Sequence, residues 1–285
     1  IELYRKLTFT EREDYKLNTI ANIELDEQKL DYSEYSNLNE LYRNDYQKFI
    51  EYNIRDVALV DMLDDKLQLI ELIMLQAYYA KVNYTDIYSQ TKTWDVLSHN
   101  YLHKRKIAVP PRPPHQTKDE AFIGAYVKEP VPGKYRWIVS CDLNSLYPRL
   151  IMQYNISPET ISDLDRAIFT IGQLLDDDFE PPIIPGFGLA PNGYYFHNDM
   201  QGFIPAIMEE MYDNRVTAKD KMQDARKQKE LEEDKYEIAK IEKQITRFKN
   251  RQHAMKIQLN SGYGAFGSAY FRYFDIRQAT AITNG

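Results

Sequence analysis

The stretch from Ile204 to Tyr263 constrains the fold of this 285-residue chain more than any other feature. An amphipathic pattern runs from Ile204 to about Lys229, the charged residues ELEEDK follow, and a second amphipathic pattern continues to about Tyr263. Apolar residues that recur every three or four positions predict helices with one buried face. Two long helices on a short connection form an antiparallel αα-hairpin. The sequence therefore predicts a long helical hairpin in this region.

The hairpin also differs from the rest of the chain in charge. The chain carries a net charge of −7, yet the segment from Tyr212 to Lys256 holds 13 Lys and Arg against 9 Asp and Glu. This distribution argues against a uniformly basic nucleic-acid binder and indicates a localised anion site. Arg215, Lys219 and Lys256 could converge on a polyanion such as a triphosphate. An exposed hairpin of alternating charges is the plainer explanation of Arg215 and Lys219.

The bulk composition excludes several classes of protein. A hydrophobic fraction of 43% supports buried cores, and the chain is long enough for two domains. No run reaches the roughly 18 apolar residues of a membrane span, and the first residues do not resemble a signal peptide. Cys141 is the single cysteine, which excludes an internal disulfide and fits a reducing compartment. Because the chain lacks an initiator methionine, we expect a processed or partial chain.

Local patterns predict further elements in the first part of the chain. Residues 1–9 and 20–25 look like short strands, and a long helical pattern follows from Asp45, which can cap it, to about Val82. The pattern is longer than a typical helix, so we expect a bend or break near Asp64–Asp65. Four prolines within VPPRPPHQ (109–116) predict an extended linker.

Strands and loops are predicted in the second part of the chain. Residues 121–143 contain two strand candidates joined by a Pro-Gly turn. Residues 172–193 read as loop, and their acidic cluster DDDFE is better explained by a solvated loop than by a metal site. Beyond Ser268, residues 269–285 predict a short strand followed by the start of a helix.

Two short stretches carry candidate chemistry. Asp142 ends an apolar strand candidate, where a carboxylate with the next backbone carbonyl can form half of a Mg²⁺ site, although a turn cap is the commoner role. Lys256, Asn260 and Tyr263 share one helical stripe, and Gly264 follows at its end. A solvated polar face explains that stripe if it is taken alone.

The two stretches occur together in a recognisable form. DLNSLYP (142–148) and KIQLNSGYG (256–264) resemble the first two polymerase motifs of family B DNA polymerases. YNIRD (52–56) resembles the family's third exonuclease motif. KTWD, GAYVKEP, NISPET and FRYFDIRQATAIT are similar to segments of the replicative polymerases of T-even-like bacteriophages. The resemblance extends over nearly the whole chain.

The resemblance implies roles for residues of a polymerase site that holds two Mg²⁺ ions. Asp142 would bridge both ions, the Leu143 carbonyl would complete one, and Tyr147 would select deoxyribose. Lys256 would also assist the leaving pyrophosphate, and Asp142 and Lys256 are therefore the catalytic candidates. The remaining implied positions are Ser145, Leu146, Arg215, Lys219, Lys256 and Asn260 on the triphosphate, and Tyr263 and Gly264 beside the nascent base pair.

The resemblance also implies a proofreading site and partners. Asp56 would bind an exonuclease Mg²⁺ ion, and Tyr52 would orient the attacking water. Primer-template DNA and a dNTP would be the partners, in the cytoplasm of a phage-infected bacterium. We expect no membrane association and no binding of a sliding clamp to this chain.

Several departures from the family pattern stand out. Arg149 stands where the family commonly has a small residue, and Gly262 stands where it commonly has a residue bulkier than glycine. The hairpin also looks shorter than in the phage relatives. The family's Asp-Thr-Asp motif, which carries the second metal carboxylate, is absent, as are the first two exonuclease motifs and a thumb. Two-metal catalysis with one of its carboxylates is not credible at normal rates. We therefore expect a fragment that is inactive alone.

The resemblance implies an α+β fold with an antiparallel, partial palm sheet and a two-helix fingers hairpin, preceded by part of an RNase-H-like α/β exonuclease domain. The implied domains are 1–68 (exonuclease tail), 69–114 (connecting segment), 115–201 (first part of the palm), 202–268 (fingers) and 269–285 (palm return). Two alternatives remain: a split-polymerase subunit that needs a second chain with the Asp-Thr-Asp motif, or a non-catalytic helical-hairpin module that binds nucleotides or nucleic acid.

Overall fold

The computed structural model describes residues 1–8, 11–113, 125 and 127–285. These residues divide into two compact units, Ile1–Met74 and Leu75–Gly285. Within the described ranges both units are mainly helical, and the β-strands lie in the second. No helix in this part of the chain is long and apolar enough to span a membrane.

The first unit is built from helices. They are α1 (Glu2–Leu7), α2 (Leu17–Leu25), α3 (Leu38–Asn44), α4 (Tyr46–Leu67) and the start of α5 (Leu69–Ala80). The strands predicted at residues 1–9 and 20–25 are wrong, because the described residues there form α1 and part of α2. Tyr4 and Ile20 are buried together with Leu63 of α4. Short apolar runs do not distinguish a strand from a helix, and here packing between helices decides.

The long helix predicted from Asp45 is confirmed, with one displaced break. The Asp45 side chain accepts a hydrogen bond of 3.0 Å from the backbone N–H of Lys48 and so caps α4. The break lies at Gln68, whose φ of 52° is left-handed, rather than at Asp64–Asp65. Asp64 still contributes to the break, because its Oδ1 accepts a hydrogen bond of 3.1 Å from the N–H of Ile70 in the first turn of α5.

The second unit contains the helical hairpin. Before the hairpin come α6 (Gln90–Lys104), α7 (Leu146–Gln153) and α8 (Ile171–Leu174), and after it comes α11 (Ile276–Thr283). The hairpin consists of α9 (Phe203–Leu231) and α10 (Lys235–Phe266), which confirms the prediction. The Asp234 carboxylate caps α10 by accepting from the N–H groups of Tyr236 and Glu237 at 2.8 and 2.9 Å.

The base of the hairpin is packed into the core of the second unit. This core joins α6, α7, α9, α10 and α11 with residues of the small sheet. Its fully buried large side chains include Trp94, Ile151, Phe196, Ile204, Met208, Leu259 and Phe266. Burial of such side chains is the main source of stability, at roughly 1.5–3 kcal/mol for each. The hairpin therefore has a firm attachment at its base.

A small antiparallel sheet lies beside this core. β1 (Phe187–Leu189) pairs with β2 (Tyr195–His197), and Gly188 lies opposite Phe196. The fold is thus α+β with a two-stranded antiparallel sheet among the described residues. Residues 172–193 were predicted as loop, but they include most of α8 and all of β1. Three-residue strands have too few alternating positions to be detected from their sequence.

Two further strand predictions are wrong. Residues 127–143 form no strand, while 121–124 and 126 lie outside the described residues. Trp137 is 92% exposed and Val139 87% exposed, so this apolar segment has no partner strand in the described chain. Residues 269–274 form turns, although the helix predicted after them is present as α11. The proline linker contains no helix or strand over 109–113, and 114–116 fall outside the described residues.

Candidate functional site

The turn before α7 contacts the first hairpin helix. Ser145 precedes α7 with φ 58° and ψ 45°, a left-handed conformation. Its Oγ accepts a hydrogen bond of 2.8 Å from Nη1 of Arg215 on α9. Nε of Arg215 is buried without a partner in the described structure, so the guanidinium has an unused donor. The N–H groups of Leu146 and Tyr147, at the start of α7, have no partners four residues earlier within the helix.

Two tyrosines from the two polymerase-like motifs stack on each other. The rings of Tyr147 on α7 and Tyr263 on α10 have centroids 4.5 Å apart and planes inclined by 24°. Burial, and then the nearby Tyr147, raise the pKa of Tyr263 above its usual value. The Tyr263 ring is therefore neutral at neutral pH. The predicted sugar and base-pair residues are brought together by this contact.

Arg149 ties α7 to α9 a second time. Its Nη2 donates to the hydroxyl of Tyr212 at 2.6 Å, and its Cζ lies 4.8 Å from the centroid of that ring. This pair combines a hydrogen bond with a cation–π contact. Tyr212 lies three residues before Arg215, on the same side of α9. The contact gives Arg149, a departure from the family pattern, a structural role.

The other predicted phosphate-binding residues lie exposed on the hairpin. Lys219, Lys256 and Asn260 are exposed, and neither lysine has an ion pair with another described residue. Burial, and then the charges of Lys256 and Lys249, lower the pKa of His253 below its usual value. His253 is therefore neutral at neutral pH beside a local positive field. Such a surface suits a polyanion.

Asp142, the predicted metal ligand, lies on the exposed stretch just before the Ser145 turn. Its carboxylate is exposed and has no hydrogen bond or ion pair with any described residue, and Leu143 beside it is also exposed. Carboxylate and carbonyl oxygens suit Mg²⁺, so both residues fit as partial ligands. Among the described residues, however, no group of three or more acidic, histidine or cysteine side chains could hold a metal. A complete site would need further ligands from substrate or from other residues.

Gly262 packs directly against Trp94 of α6 and Met208 of α9. A Cβ there would lie 2.5 Å from Cε of Met208 and 2.8 Å from Cζ2 of Trp94. The indole N–H of Trp94 donates to Oγ of Ser261 at 3.0 Å. Trp94 lies in the KTWD segment. The similarity of that segment to phage sequences was the sequence feature that could have indicated this contact. A Cβ at Gly264 would meet only the end of the Gln90 side chain.

Residues of NISPET fix the start of α9. Nδ2 of Asn155 donates to the carbonyls of His197 and Met200 at 2.6 and 2.8 Å, and its Oδ1 accepts from the N–H of Gly202 at 2.9 Å. Oε1 of Glu159 accepts from the N–H of Phe203, which places a carboxylate at the positive end of the helix. The sequence did not predict a role for these side chains, because their partners lie far away in the chain.

Arg272 connects α6 with the segment after the hairpin. Its Nε and Nη2 donate to the Asp95 carboxylate at 2.6 and 3.0 Å, and its Nη1 donates to the carbonyl of Pro110. The hydrogen bond with Asp95 raises the pKa of Arg272 above its usual value. This bidentate ion pair was also not predicted from the sequence. It holds the linker against the hairpin's base.

The exonuclease candidates lie in the first unit. Nζ of Lys29 lies 2.7 Å from Oδ2 of Asp56 and 4.8 Å from the ring centroid of Tyr52. Burial lowers the pKa of Lys29, but hydrogen bonds with Asp56 and Tyr52 outweigh it and raise the pKa. Oδ1 of Asp56 is buried without a partner in the described structure. An unsatisfied buried carboxylate oxygen fits a cation ligand, and Tyr52 lies close to it.

Comparisons with known proteins agree with the motifs. The sequence profile of DNA polymerase family B matches residues 87–285. The DNA-directed DNA polymerase of Escherichia phage RB69 is 32% identical over 322 aligned positions, which cover 99% of this chain and 35% of the relative. The enzyme of Enterobacteria phage T4 gives the same identity and coverage. DNA polymerase 1 of Pyrococcus abyssi is 30% identical over 164 positions, 58% of this chain and 17% of that protein.

The chain thus spans about a third of the length of its phage relatives. The matched profile includes the Ser145 turn, both hairpin helices and the stacked tyrosines. The phage relatives also cover the first unit. Profile, identity and motifs lead to one conclusion: the chain belongs to DNA polymerase family B and is similar to its T4-like phage members.

Proposed function

We propose that this chain is part of a replicative DNA polymerase, in which the Ser145 turn and the α9–α10 hairpin hold the incoming dNTP. The observation that carries the proposal is the meeting of motifs that are distant in sequence. Arg215 bonds to Ser145, and Tyr263 stacks on Tyr147. Phosphoryl transfer depends on positioning and charge neutralisation rather than on covalent chemistry, so such a convergence is what the reaction needs.

The triphosphate would lie between the turn and the hairpin. The N–H groups of Ser145 and Leu146 would donate to its oxygens, as backbone groups at helix starts do. Arg215 would contribute a planar fork, and the exposed Lys219 and Lys256 would contribute point charges. Asn260, one turn beyond Lys256, would support this grip. Lys256 would also stabilise charge on the leaving pyrophosphate.

The stacked tyrosines would lie under the sugar and the nascent base pair. Tyr147 would exclude a 2′-hydroxyl by occupying its space, and Tyr263 with Gly264 would line the base pair. The ring contact between Tyr147 and Tyr263 supports this arrangement, because each ring limits the rotamers of the other. Ribose discrimination would then depend on both rings.

Metal ions would complete the chemistry. Mg²⁺ bound at the Asp142 carboxylate and the Leu143 carbonyl would neutralise charge that develops on the transferred phosphoryl group. The second carboxylate would come from an Asp-Thr-Asp motif outside this sequence, in the same polypeptide or in a second chain. Asp56 and Tyr52 would serve 3′→5′ proofreading in the same way, with Asp56 as a Mg²⁺ ligand and Tyr52 orienting water.

The proposed organisation follows the sequence assignment. Residues 1–68 would belong to the exonuclease domain, 69–114 to a connecting segment, 115–201 and 269–285 to the palm, and 202–268 to the fingers. Primer-template DNA would be the macromolecular partner, and a phage-infected bacterial cytoplasm would be the place of action.

The proposal is tested by combining this chain with a palm segment that carries Asp-Thr-Asp, fused to it or added as a second chain. We expect Mg²⁺-dependent primer extension from the combination and none from the chain alone. Asp142→Ala should abolish incorporation, and Lys256→Ala should slow it by at least about tenfold. Lys227→Ala, at a lysine that is 75% exposed near the hairpin tip, is the matched control and should leave the rate unchanged.

Each unexpected result of the primer-extension test would favour or exclude a different alternative. Incorporation that survives Asp142→Ala would favour a non-catalytic hairpin module. Lack of extension with every such palm segment would rule out the split-subunit arrangement. A loss with Lys227→Ala equal to that with Lys256→Ala would show that charge alone, and not the position of Lys256, matters.

A further inference from the structure

A cleft lies between α6, α9 and α10, away from the proposed dNTP site. Its volume is about 160 Å³, comparable with the roughly 150 Å³ of a cavity that accepts a benzene ring. α6 and α9 each line it with residues at i, i+3, i+4 and i+7, so one stripe of each helix faces inward. On α10 the cleft is lined by Met255 and Gln258. At 100° per residue, the stripe formed by Lys256, Asn260 and Tyr263 lies about 140° further around the helix, so it belongs to a different face.

Gln258 lies in the wall of this cleft. The residue is 3% exposed, and neither its Oε1 nor its Nε2 has a hydrogen-bond partner in the described structure. Leaving both ends of a buried amide unsatisfied costs stability, and buried polar groups normally have partners. The amide thus offers one donor and one acceptor, side by side, to whatever occupies the cleft.

The opening of the cleft is basic. Lys81, Lys104 and Arg105 line it against a single acid, Glu210. All three cations are exposed, and none has an ion pair with another described residue. The presence of Lys104 and Arg105 at the end of α6 is explained by the preference of helix C-termini for cations. Lys81 has no such explanation, because it lies in a separate turn after α5. Cations from two segments at one opening indicate an anion site.

Aromatic surfaces complete the lining. Tyr79 and Tyr101 both face the cleft, and Cζ of Arg105 lies 3.5 Å from the ring centroid of Tyr101. Flat rings and a guanidinium plane suit a planar ligand group. The cleft therefore combines a flat apolar wall, a paired donor and acceptor, and a cationic opening.

We propose that this cleft binds a mononucleotide, with the edge of the base on the amide of Gln258 and the phosphate on Lys81, Lys104 and Arg105. A glutamine amide can pair with the adjacent N6 donor and N7 acceptor of adenine, so an adenine nucleotide is the natural probe. An inorganic anion would satisfy the cations but would leave Gln258 without partners. This site is distinct from the proposed triphosphate site, and its test does not depend on catalysis.

The test measures binding of 2′-deoxyadenosine 5′-monophosphate (dAMP) to the chain by isothermal titration calorimetry. Deoxyadenosine and inorganic phosphate serve as the two half-ligands. We expect saturable binding of one dAMP per chain at this site, at least about tenfold tighter than either half-ligand. Gln258→Leu should weaken dAMP about tenfold and leave phosphate unchanged. Lys104→Ala, at an exposed position that tolerates change, should weaken both dAMP and phosphate.

Control variants separate this cleft from the proposed dNTP site. Lys227→Ala should not alter dAMP binding. Loss of dAMP binding in Lys256→Ala but not in Lys104→Ala would place the ligand in the proposed dNTP site and would overturn the proposal. Equal affinities for phosphate and dAMP would overturn it as well, since the cleft would then be an anion site alone. Absence of saturable dAMP binding at millimolar concentration would have the same consequence. A melting temperature of Gln258→Leu at or above that of the parent would verify that the variant is folded.

Discussion

At Gly262 the α-carbon of α10 faces Trp94 and Met208 with no room for a methyl group. The indole is held in this position by its hydrogen bond with Ser261, the residue before the glycine. Any side chain at this position would have to displace Trp94 or Met208.

We expect Gly262→Ala to destabilise the protein by about 1–3 kcal/mol, because overpacking a tight core forces side chains and backbone to shift. Alanine's higher helix propensity would offset only about 1 kcal/mol of a larger steric cost. The measurement is urea-induced unfolding followed by circular dichroism. Gly264→Ala is the control and should cost less, because Gly264 lies one residue after Tyr263 and faces only the end of the flexible Gln90 side chain. Equal stability of both variants would contradict the packing explanation.

Some candidate site residues were predicted because they belong to a short motif. Ser145, Tyr147 and Tyr263 were identified from their motifs and Arg215 from its spacing to Lys219, and the structure places these four residues in two contacting pairs. The partner of Arg149 was not predictable, because Tyr212 lies 63 residues further along the chain and outside either motif. Contacts between distant segments are set by tertiary packing, which a local pattern does not contain.

At the scale of elements, α7 and α9 are joined by two polar contacts, one at Ser145 and one at Arg149. These contacts lie about one helical turn apart on α9. The first involves a residue proposed to bind the triphosphate, whereas the second involves residues with no such role. Arg149 is therefore proposed as a positioning residue, which holds the hairpin helix against the turn.

We expect Arg149→Ala to weaken dNTP binding about three- to tenfold, since α9 would be less well held against the Ser145 turn. Tyr212→Phe keeps the aromatic ring beneath the guanidinium but removes the hydroxyl, so it should have a smaller effect. Both are measured by titration with a dNTP in the presence of Mg²⁺, alongside melting temperatures. A change in melting temperature without any change in affinity would limit Arg149 to a purely structural role.

Helices were predicted better than strands for a physical reason. The hairpin and the helix from Asp45 repeat an apolar stripe over many turns, and their caps at Asp45 and Asp234 act locally. A strand depends on hydrogen bonds with a neighbour that its own sequence does not specify. The strands predicted within residues 121–143 had suitable composition, yet the described part of that segment has no partner.

At the scale of the whole molecule, a buried ionisable side chain, Tyr273, makes the stability of the folded state depend on pH. Tyr273 lies in the core of the second unit, edge-on to Phe203 and Phe271. Its hydroxyl is buried without a hydrogen-bond partner in the described structure. Burial raises the pKa of this phenol to about 12. The folded state therefore keeps it neutral at a pH where the unfolded chain ionises it.

This difference predicts a loss of stability in alkali. A raised pKa contributes stability that is complete below the unfolded value of about 10 and is lost as pH rises towards the folded value. Tyr273→Phe removes the ionisable group, so near pH 11 the fall in the free energy of unfolding should be smaller in the variant by roughly 1 kcal/mol. Near pH 8 the variant should be as stable as the parent, because no hydrogen bond is lost. Parallel urea titrations at both pH values measure the difference, and an identical fall in both proteins would exclude the contribution of Tyr273.

The exposed segment 127–143 gives the protein an optical reporter of its own. The chain has two tryptophans, of which Trp94 is fully buried and Trp137 is 92% exposed. Iodide should quench the emission of Trp137 and leave that of Trp94 almost untouched. If a palm segment supplies the strand that this region lacks, the quenchable fraction should disappear in proportion to assembly. An affinity for the complementing segment could then be obtained from unlabelled protein, before any nucleotide is incorporated.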